Sequence, residues 1–538
     1  MAEEPTSKKG KTPKAAKAGE QTTPRPEAQE EEEERRKKLP MSRATIPPGM
    51  HDPEQRHRWG LPRSEQRRGF YMVEVNLLFR GGLQEAREEF LKLWERVLGR
   101  SQEEPLPVSK TYFRCEMTVE EWRKLIKEDE KASERRDRLI YRIWPDFPVK
   151  PLIYQSVPTV KADAALRSYE ASGADIVWAV IDSGIDAAHR HFGDPEKPES
   201  HVLLHPDVRD LHRDFTLPGP ATKENSATAL TDDYGHGTHV AGIIAGGLAK
   251  DLKSGKDFRV YETVFSSDPD AEGKEVKLEE RTVRDSARLR GVAPFCKLVS
   301  LKALDERGAG QSSNVMRALQ YIREELNGDP KILRVHGVNL SIGYEFDAEM
   351  FACGQSPLCV EVDRLVKSGV VVVVAAGNTG YGSLEADQRP TKVGLSNTIN
   401  DPGNAALAIT VGATHRDSPH TYGVSYFSSK GPTGDGRLKP DLVAPGERIT
   451  SCAAGLKLQK NGGEVPDDVP AYIDDSGTSM AAPHVSGAVA AFLSIRREFI
   501  QRPEEVKRIF LESATALGRE RYFEGHGLLD LMRAIQSV

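Results

Sequence analysis

The chain has 538 residues, which is enough for several domains and a large buried core. Hydrophobic residues make up 38% and charged residues 29%, a composition typical of soluble globular proteins that argues against a fibrous or membrane-embedded one. The formal net charge of −6 shows no basic excess, so we expect no nucleic-acid partner.

The apolar runs and the cysteines indicate where in the cell the protein is expected to be located. The longest apolar run, residues 370–376, is far shorter than the ~20 residues that span a bilayer, and the opening MAEEPTSKKGKTPK lacks the apolar core of a secretory signal. We therefore expect no membrane partner and a cytoplasmic location, with secretion by an unusual route left open. Five cysteines, an odd number, favour free thiols over a disulfide framework.

The N-terminal part of the chain divides into a tail, a small domain and a linker. Residues 1–66 are rich in Lys, Glu, Pro and Thr without apolar periodicity, which predicts a disordered charged tail. Alternating and helical apolar patterns then predict a β-α-β-α-β module, in which Thr118 and Glu121 form a capping box. We assign 67–150 to this α+β domain and 151–173 to a linker.

The remainder, 174–538, has a different pattern. Apolar strands are expected near residues 176–181, 297–304, 337–342, 370–376 and 408–411, with helices between them. Strands buried on both faces and separated by helices predict a mostly parallel α/β sheet. A charged insertion at about 248–289 is expected to form a surface hairpin.

Two motifs in this region place an acid and a base at the ends of elements. Asp182 ends a strand in VIDSGID, where ligands of doubly wound sheets bind, although a lone DSG is more often a turn. His236 begins a helix in DDYGHGTHVAG, and the glycines on either side allow another backbone to approach the imidazole. The alternatives are a core histidine, or a metal site of His236 and His239 with Asp232 or Asp233, for which no further ligand cluster is seen.

A third motif supplies a nucleophile. Ser479 stands at a helix N-terminus in DDSGTSMAAPHVSGAVAAF, where the helix dipole favours a negatively charged intermediate, although such serines are commonly N-caps. A serine needs a histidine to take its proton, and the histidine needs a carboxylate to orient it. The order Asp182, His236, Ser479 is one of the known orders of such triads.

These motifs together resemble the catalytic signatures of the subtilisin-like serine peptidases. The resemblance extends over about 175–535 through RGVAP, VNLSIG, VVAAGN, PGNAALAITVGAT and FSSKGPTGDGRLKPDLVAPG. It implies the triad Asp182, His236 and Ser479, and a three-layer subtilisin-like α/β fold with a mostly parallel central sheet. It also implies that Asn378 is the side-chain donor of the oxyanion hole.

The resemblance extends to substrate and regulation. The two edges that would pair with an extended peptide are Ala309-Gly310-Gln311 and Ser341-Ile342-Gly343, which make these residues candidates for substrate binding. The module at 67–150 resembles the subtilisin propeptide, a ferredoxin-like domain, which implies that it acts as an intramolecular inhibitor; the alternative is an unrelated partner-binding module. The resemblance implies no cofactor for the chemistry. The family's common calcium loop would fall near the charged insertion, so the resemblance identifies no calcium ligands and we assign no metal ligands.

The sequence thus predicts a serine endopeptidase that hydrolyses proteins or peptides through an acyl-enzyme intermediate. The alternative is a pseudoprotease that binds peptides without cleaving them. A third hypothesis is a protease held latent by its N-terminal module.

Overall fold

The computed structural model describes residues 45–46, 50–58, 61–99, 104–145, 156–217, 222–248, 252–266, 275–329, 331–346, 353–386, 389–459 and 469–538. The chain divides into two compact units, Met1–Pro151 and Leu152–Val538. Residues 1–44 of the predicted tail and residues 151–155 of the predicted linker lie outside the described residues.

The N-terminal unit contains a four-stranded antiparallel sheet in the order β2-β3-β1-β4. Its strands are β1 (Gly69–Val75), β2 (Leu106–Pro107), β3 (Tyr112–Met117) and β4 (Ile140–Pro145). Its described α-helices are Pro53–Arg58, Gly82–Leu98 and Val119–Asp129. The order from β1 onward is β-α-β-β-α-β, so the ferredoxin-like fold is confirmed. The strand missing from the predicted module is β2, which is too short for any alternation to be visible.

The helices of this unit are placed by ordinary local rules. Tyr71, Val73 and Val75 alternate into the core of the unit on β1. The predicted capping box is present: the Thr118 hydroxyl accepts from the Glu121 N–H at 3.2 Å, and the Glu121 carboxylate accepts from the Thr118 N–H at 2.7 Å. The helix Val119–Asp129 therefore begins where the sequence predicts.

The folded unit begins earlier than expected, and the prediction of a disordered tail as far as residue 66 was wrong for its described part. The helix Pro53–Arg58 lies within it, and Met50 and Leu61 are buried in the core of the unit. The buried Arg56 guanidinium donates to the carbonyls of Met50 at 3.2 Å and Arg63 at 2.6 Å. This segment is fixed by one buried arginine and a few isolated apolar residues, so its sequence has no periodic pattern that predicts ordered structure.

The second unit is built mainly of parallel strands. Its described strands are β5 (Val177–Asp182), β6 (Arg213–Asp214), β7 (Arg259–Ser266), β8 (Glu275–Glu280), β9 (Lys297–Lys302), β10 (Gly337–Leu340), β11 (Val371–Ala375), β12 (Tyr381–Ala386), β13 (Arg389–Gly394), β14 (Ile409–His415), β15 (Leu442–Glu447), β16 (Ile449–Ala453) and β17 (Ala471–Asp475). Its described α-helices are Ser156–Thr159, Ala162–Tyr169, Ser226–Ala229, His236–Ile244, Ser312–Gln320, Pro357–Lys367, Pro419–Tyr422, Gly455–Gln459, Thr478–Ile495, Pro503–Glu512, Arg521–Glu524 and Leu531–Gln536.

Seven strands form a parallel sheet in the order β15-β14-β11-β10-β5-β9-β6, and helices cover both faces. Alternate residues of β5 show the division. Trp178 and Val180 join the core with the helices His236–Ile244 and Thr478–Ile495. Ala179 and Ile181 join the opposite core with Ser312–Gln320 and Pro357–Lys367. The predicted three-layer fold with a mostly parallel sheet is confirmed.

Two smaller sheets carry the additional segments. The insertion forms the hairpin β7–β8, and β7 also pairs in parallel with β17, so β16-β17-β7-β8 is one four-stranded sheet. The strand β17 leads directly into the segment of Ser479. The segment after Asn378 forms a separate antiparallel hairpin of β12 and β13.

The helix Thr478–Ile495 is long and apolar enough to cross a bilayer, but 83% of it is buried inside the fold. It is therefore the central core helix of the second unit. All five cysteines are free thiols, as expected.

Candidate active site

Asp182 is the last residue of β5 and is almost fully buried. Its Oδ1 accepts a hydrogen bond from the Ser183 N–H at 2.8 Å and another from Nδ1 of His236 at 2.7 Å. The second bond fixes the imidazole so that its Nε2 is left to exchange a proton.

His236 is the first residue of the helix His236–Ile244 and follows Gly235, whose φ is +90°. The glycines on either side are required by close backbone approach. A Cβ at Gly235 would lie 2.1 Å from the Ala454 carbonyl oxygen, and one at Gly237 would lie 2.1 Å from the Gly184 carbonyl oxygen. The sequence prediction that these glycines admit neighbouring backbone is therefore correct.

The electrostatics of His236 suit a general base. Burial acts to lower the pKa of His236, but the charge of Asp182 and its hydrogen bond outweigh burial, so the pKa is raised above its ordinary 6.5. Smaller opposing effects come from Lys457, which lowers it, and Asp475, which raises it. An imidazolium formed by proton transfer would be stabilised where it stands.

Ser479 is the second residue of the helix Thr478–Ile495, whose N-terminal dipole favours negative charge. Its hydroxyl donates to the Ser341 carbonyl at 2.9 Å, and the Ser341 hydroxyl donates to the Ser479 carbonyl at 2.8 Å. Productive proton transfer to His236 requires the Ser479 hydroxyl to turn from this acceptor. Catalytic hydrogen bonds commonly form fully only with substrate bound.

Asn378 follows β11 and is held by the residue that precedes the nucleophile. Its Oδ1 accepts from the Thr478 N–H at 2.9 Å and from the Thr478 hydroxyl at 3.1 Å. That hydroxyl also accepts from the Gly377 N–H at 3.1 Å. With its oxygen committed, Asn378 has its Nδ2 available as a donor, and this atom lies 3.3 Å from where a Cβ on Gly477 would be.

The predicted substrate-binding residues follow two strands of the parallel sheet, β9 and β10, which lie on either side of β5. Ala309 and Gly310 come after β9, and Ser341, Ile342 and Gly343 come directly after β10. Ala309, Gly310 and Gly343 are exposed, as the pairing of a peptide backbone requires. A Cβ at Gly343 would lie 2.7 Å from the Asp401 carbonyl oxygen, so neighbouring backbone already requires glycine there. Their role as substrate residues stays a prediction.

The alternative metal site gains no support from the geometry. Nε2 of His239 donates to the Ile473 carbonyl at 3.1 Å, and burial lowers the pKa of His239 to about 3. Nδ1 of His236 is committed to Asp182. The part of the chain that the structure describes has no group of three His, Cys, Asp or Glu side chains that could hold a metal ion.

Two residues near the site were missed as functional candidates. Thr478 orients Asn378, and Asp232, considered only as a metal ligand, binds the backbone on both sides of His236. The only sequence signal for either residue is its position, because Thr478 directly precedes Ser479 and Asp232 lies four residues before His236. Thr478 bonds to Asn378 of another segment, and Asp232 also accepts from Ser183 of another segment, so spacing could not identify their roles.

Comparison with known proteins agrees with this geometry. The profile of the Subtilase family (Peptidase_S8) matches residues 173–528. Serine protease AprX of Bacillus subtilis is 28% identical over 381 residues, 69% of this chain and 68% of AprX. Subtilisin E of Bacillus subtilis is 27% identical over 386 residues, 71% of this chain and 72% of subtilisin E.

Pyrolysin of Pyrococcus furiosus is 29% identical over 340 residues, which cover 56% of this chain and only 21% of pyrolysin. The chain therefore spans only about a fifth of the length of pyrolysin. The family profile covers the segments of Asp182, His236, Asn378 and Ser479. The chain belongs to the subtilase family of serine endopeptidases.

Proposed function

We propose that this protein hydrolyses peptide bonds in proteins or peptides with Ser479 as nucleophile, His236 as base and then acid, and Asp182 as the residue that orients His236. The Ser479 oxygen attacks the carbonyl carbon as its proton passes to Nε2 of His236. His236 then protonates the leaving amine, and the acyl-enzyme is hydrolysed by a water that His236 activates in the same way.

The observation that carries this proposal is the 2.7 Å hydrogen bond between Asp182 and His236 at the carboxyl edge of the sheet. The oxyanion formed during attack would be stabilised by Nδ2 of Asn378 and by the N–H of Ser479. Because Thr478 holds the Asn378 amide oxygen, this donor is oriented before substrate binds. Preorganised donors of this kind cost no rearrangement during the reaction.

The test is Ser479→Ala in the full-length chain, with Ser494→Ala in the same helix as the matched control, since among the described residues the Ser494 hydroxyl hydrogen-bonds only to the Ala491 carbonyl and the Gly173 N–H. Peptide hydrolysis and labelling by a fluorophosphonate probe should be lost in Ser479→Ala and kept in Ser494→Ala. Full hydrolysis by Ser479→Ala would refute the assignment. Failure of the probe to react with either the folded full-length chain or the folded chain without residues 1–150 would instead favour the pseudoprotease alternative, for which the comparisons provide no support.

The N-terminal unit is proposed as an intramolecular inhibitor of the peptidase unit. Its β-α-β-β-α-β order supports this role, as do aromatic side chains on the solvent side of its sheet. The side chains of Phe70 and Tyr141 are 41% and 40% exposed. The Arg114 guanidinium lies 3.8 Å from the centre of the Phe70 ring. Aromatic residues and arginine are enriched at protein interfaces, so these side chains are candidates for docking.

Deleting residues 1–150 tests the inhibitor proposal. The shortened enzyme should be more active than the full-length chain, or the full-length chain should cut itself between about 145 and 170. Tyr141→Glu in the full-length chain should raise activity by weakening docking. A soluble shortened enzyme no more active than the full chain, without self-cleavage, would contradict the proposal.

Two further expectations remain proposals. The triad chemistry needs no metal or other cofactor, and a structural calcium ion would show itself as a calcium-dependent melting temperature. A cytoplasmic location, without membrane or nucleic-acid partners, is tested by fractionating cells that express the tagged chain.

A further inference from the structure

A buried carboxylate lies four residues before His236 and has no place in the chemistry described above. Asp232 is only 5% exposed and accepts four hydrogen bonds. Its Oδ1 accepts from the Ser183 hydroxyl and the Gly235 N–H, both at 2.8 Å. Its Oδ2 accepts from the Thr238 N–H at 2.8 Å and the Thr238 hydroxyl at 2.7 Å. We call this set of contacts the Asp232 clamp.

The clamp joins the two elements that carry Asp182 and His236. Ser183 follows Asp182 directly, and its hydroxyl, besides donating to Asp232, accepts from the Gly237 N–H at 2.9 Å. On the other side, the Thr238 hydroxyl accepts from the Asp186 N–H at 2.9 Å. The end of β5 is therefore tied at two points to the first turn of the helix that begins at His236.

The Asp182 carboxylate depends on this backbone support. Its Oδ1 receives both the Ser183 N–H and the imidazole, whereas its Oδ2 has no hydrogen-bond partner among the described residues. At Oδ2, no described residue supplies a hydrogen bond that would resist a small shift of the strand end relative to the helix. The alignment of Asp182 with His236 thus rests on the placement of the two backbones.

We propose that Asp232 is a positioning residue for peptide hydrolysis: its carboxylate holds the start of the His236 helix against the strand end of Asp182. It touches neither substrate nor reacting atoms and acts through Ser183 and Thr238. All four contacts donate to it, so an amide at this position would place an N–H against at least one donor. This inference rests on the proposed function of Asp182 and His236.

The experiment compares Asp232→Asn with Asp214→Asn. Asp214 is a matched control because it is also buried, and its Oδ1 also accepts from a threonine N–H and hydroxyl, those of Thr216 at 2.9 and 2.6 Å. With active enzyme counted by a fluorophosphonate, Asp232→Asn should lower kcat by about 10- to 100-fold with KM within about twofold. Asp214→Asn should keep wild-type kcat. An unchanged kcat in folded Asp232→Asn would overturn the proposal.

A readout independent of activity separates this proposal from the proposed function. In a Ser479→Ala background, NMR titration of the His236 imidazole should show a lower pKa in Asp232→Asn, by about one unit, and no change in Asp214→Asn. The other groups that act on His236 are Asp182 on β5, Lys457 and Asp475, and none of them is altered. Equal titrations in both variants would refute positioning, whether or not the wild-type chain is active.

If Asp232→Asn does not fold, Ser183→Ala decides the question. It removes one arm of the clamp and leaves the carboxylate with its three other donors. We expect kcat to fall by about five- to tenfold, with the same downward shift of the His236 titration. Wild-type kcat and titration in Ser183→Ala would overturn the proposal, since the strand end would then be aligned without the clamp.

Discussion

Lowering the pH from 7 to 5.5 should remove a large part of the stability of the second unit. Four fully buried histidines are the reason. Burial lowers the pKa of His191 and His239 to about 3 and that of His212 and His484 to about 4, against an ordinary value of 6.5. They remain neutral in the folded chain but take up protons when it unfolds.

The sign and size follow from linkage. The unfolded state binds more protons, so stability is fully present above about pH 6.5 and is lost as the pH falls below it. Between pH 7 and 5.5 each histidine costs about 1.2 kcal/mol, or about 5 kcal/mol for the four. A domain is typically stable by only about 5–15 kcal/mol. His236, whose pKa is raised, has the opposite sign and offsets part of this loss.

The assay is guanidinium unfolding of the Ser479→Ala protein, which cannot digest itself, at several pH values between 7 and 5.5. His212→Gln is the informative variant. Nε2 of His212 donates to the Leu203 carbonyl at 2.9 Å and its Nδ1 accepts from the Ser300 N–H at 3.0 Å. Replacing it should reduce the slope of stability against pH by about 1.2 kcal/mol per pH unit near pH 5.5.

The slope separates this effect from simple destabilisation. At pH 7, where the slope is small, a lower stability of His212→Gln measures simple destabilisation. A smaller slope of stability against pH at lower pH measures the separate loss of the histidine's titration. If the stability of the Ser479→Ala protein with all its histidines changes by less than about 1 kcal/mol between pH 7 and 5.5, the reasoning is refuted. An unchanged slope in His212→Gln would show that this histidine does not contribute.

Three other outcomes are expected. Asn378→Ala should lower kcat by about 10²–10³-fold with little change in KM, the range measured for an oxyanion-hole asparagine in a subtilisin; a loss below threefold would contradict the assigned donor. Gly237→Ala, whose Cβ would meet the Gly184 carbonyl, should lower the melting temperature by about 5 °C, whereas Gly394→Ala, with its nearest neighbour at 3.8 Å, should not. Treatment with EDTA should leave initial rates within about twofold at 25 °C, and a lasting loss restored by zinc would argue for metal chemistry.

The parts of the fold that could be predicted are those recorded in local patterns. The buried valines of β11 and the small-residue motifs around Asp182, His236 and Ser479 stand within single segments. In contrast, β15 contains Pro445 and Gly446, which interrupt any strand pattern, yet it pairs in parallel with β14 at the edge of the sheet.

Tertiary hydrogen bonds explain most of what was missed. The partner of Asp232 on the strand side, Ser183, is 49 residues away, and nothing in the spacing of DDYGHGTHVAG indicates it. Arg56 is buried because backbone carbonyls of its own segment accept hydrogen bonds from it, although the composition of that segment favours disorder. Such polar networks depend on which loops meet after folding, and a periodicity analysis contains no information about that.

The two histidines of the His236 helix show how far surroundings decide a role. His236 and His239 are three residues apart, but the first bonds to a carboxylate 54 residues away and the second to a carbonyl 234 residues away. Asp182 raises the pKa of His236, whereas burial lowers that of His239 to about 3. On acidification, His236 should therefore be protonated first, and activity should fall reversibly at a higher pH than the fold does. Loss of activity that coincides with unfolding at every pH would show that the two imidazoles are not separated in this way.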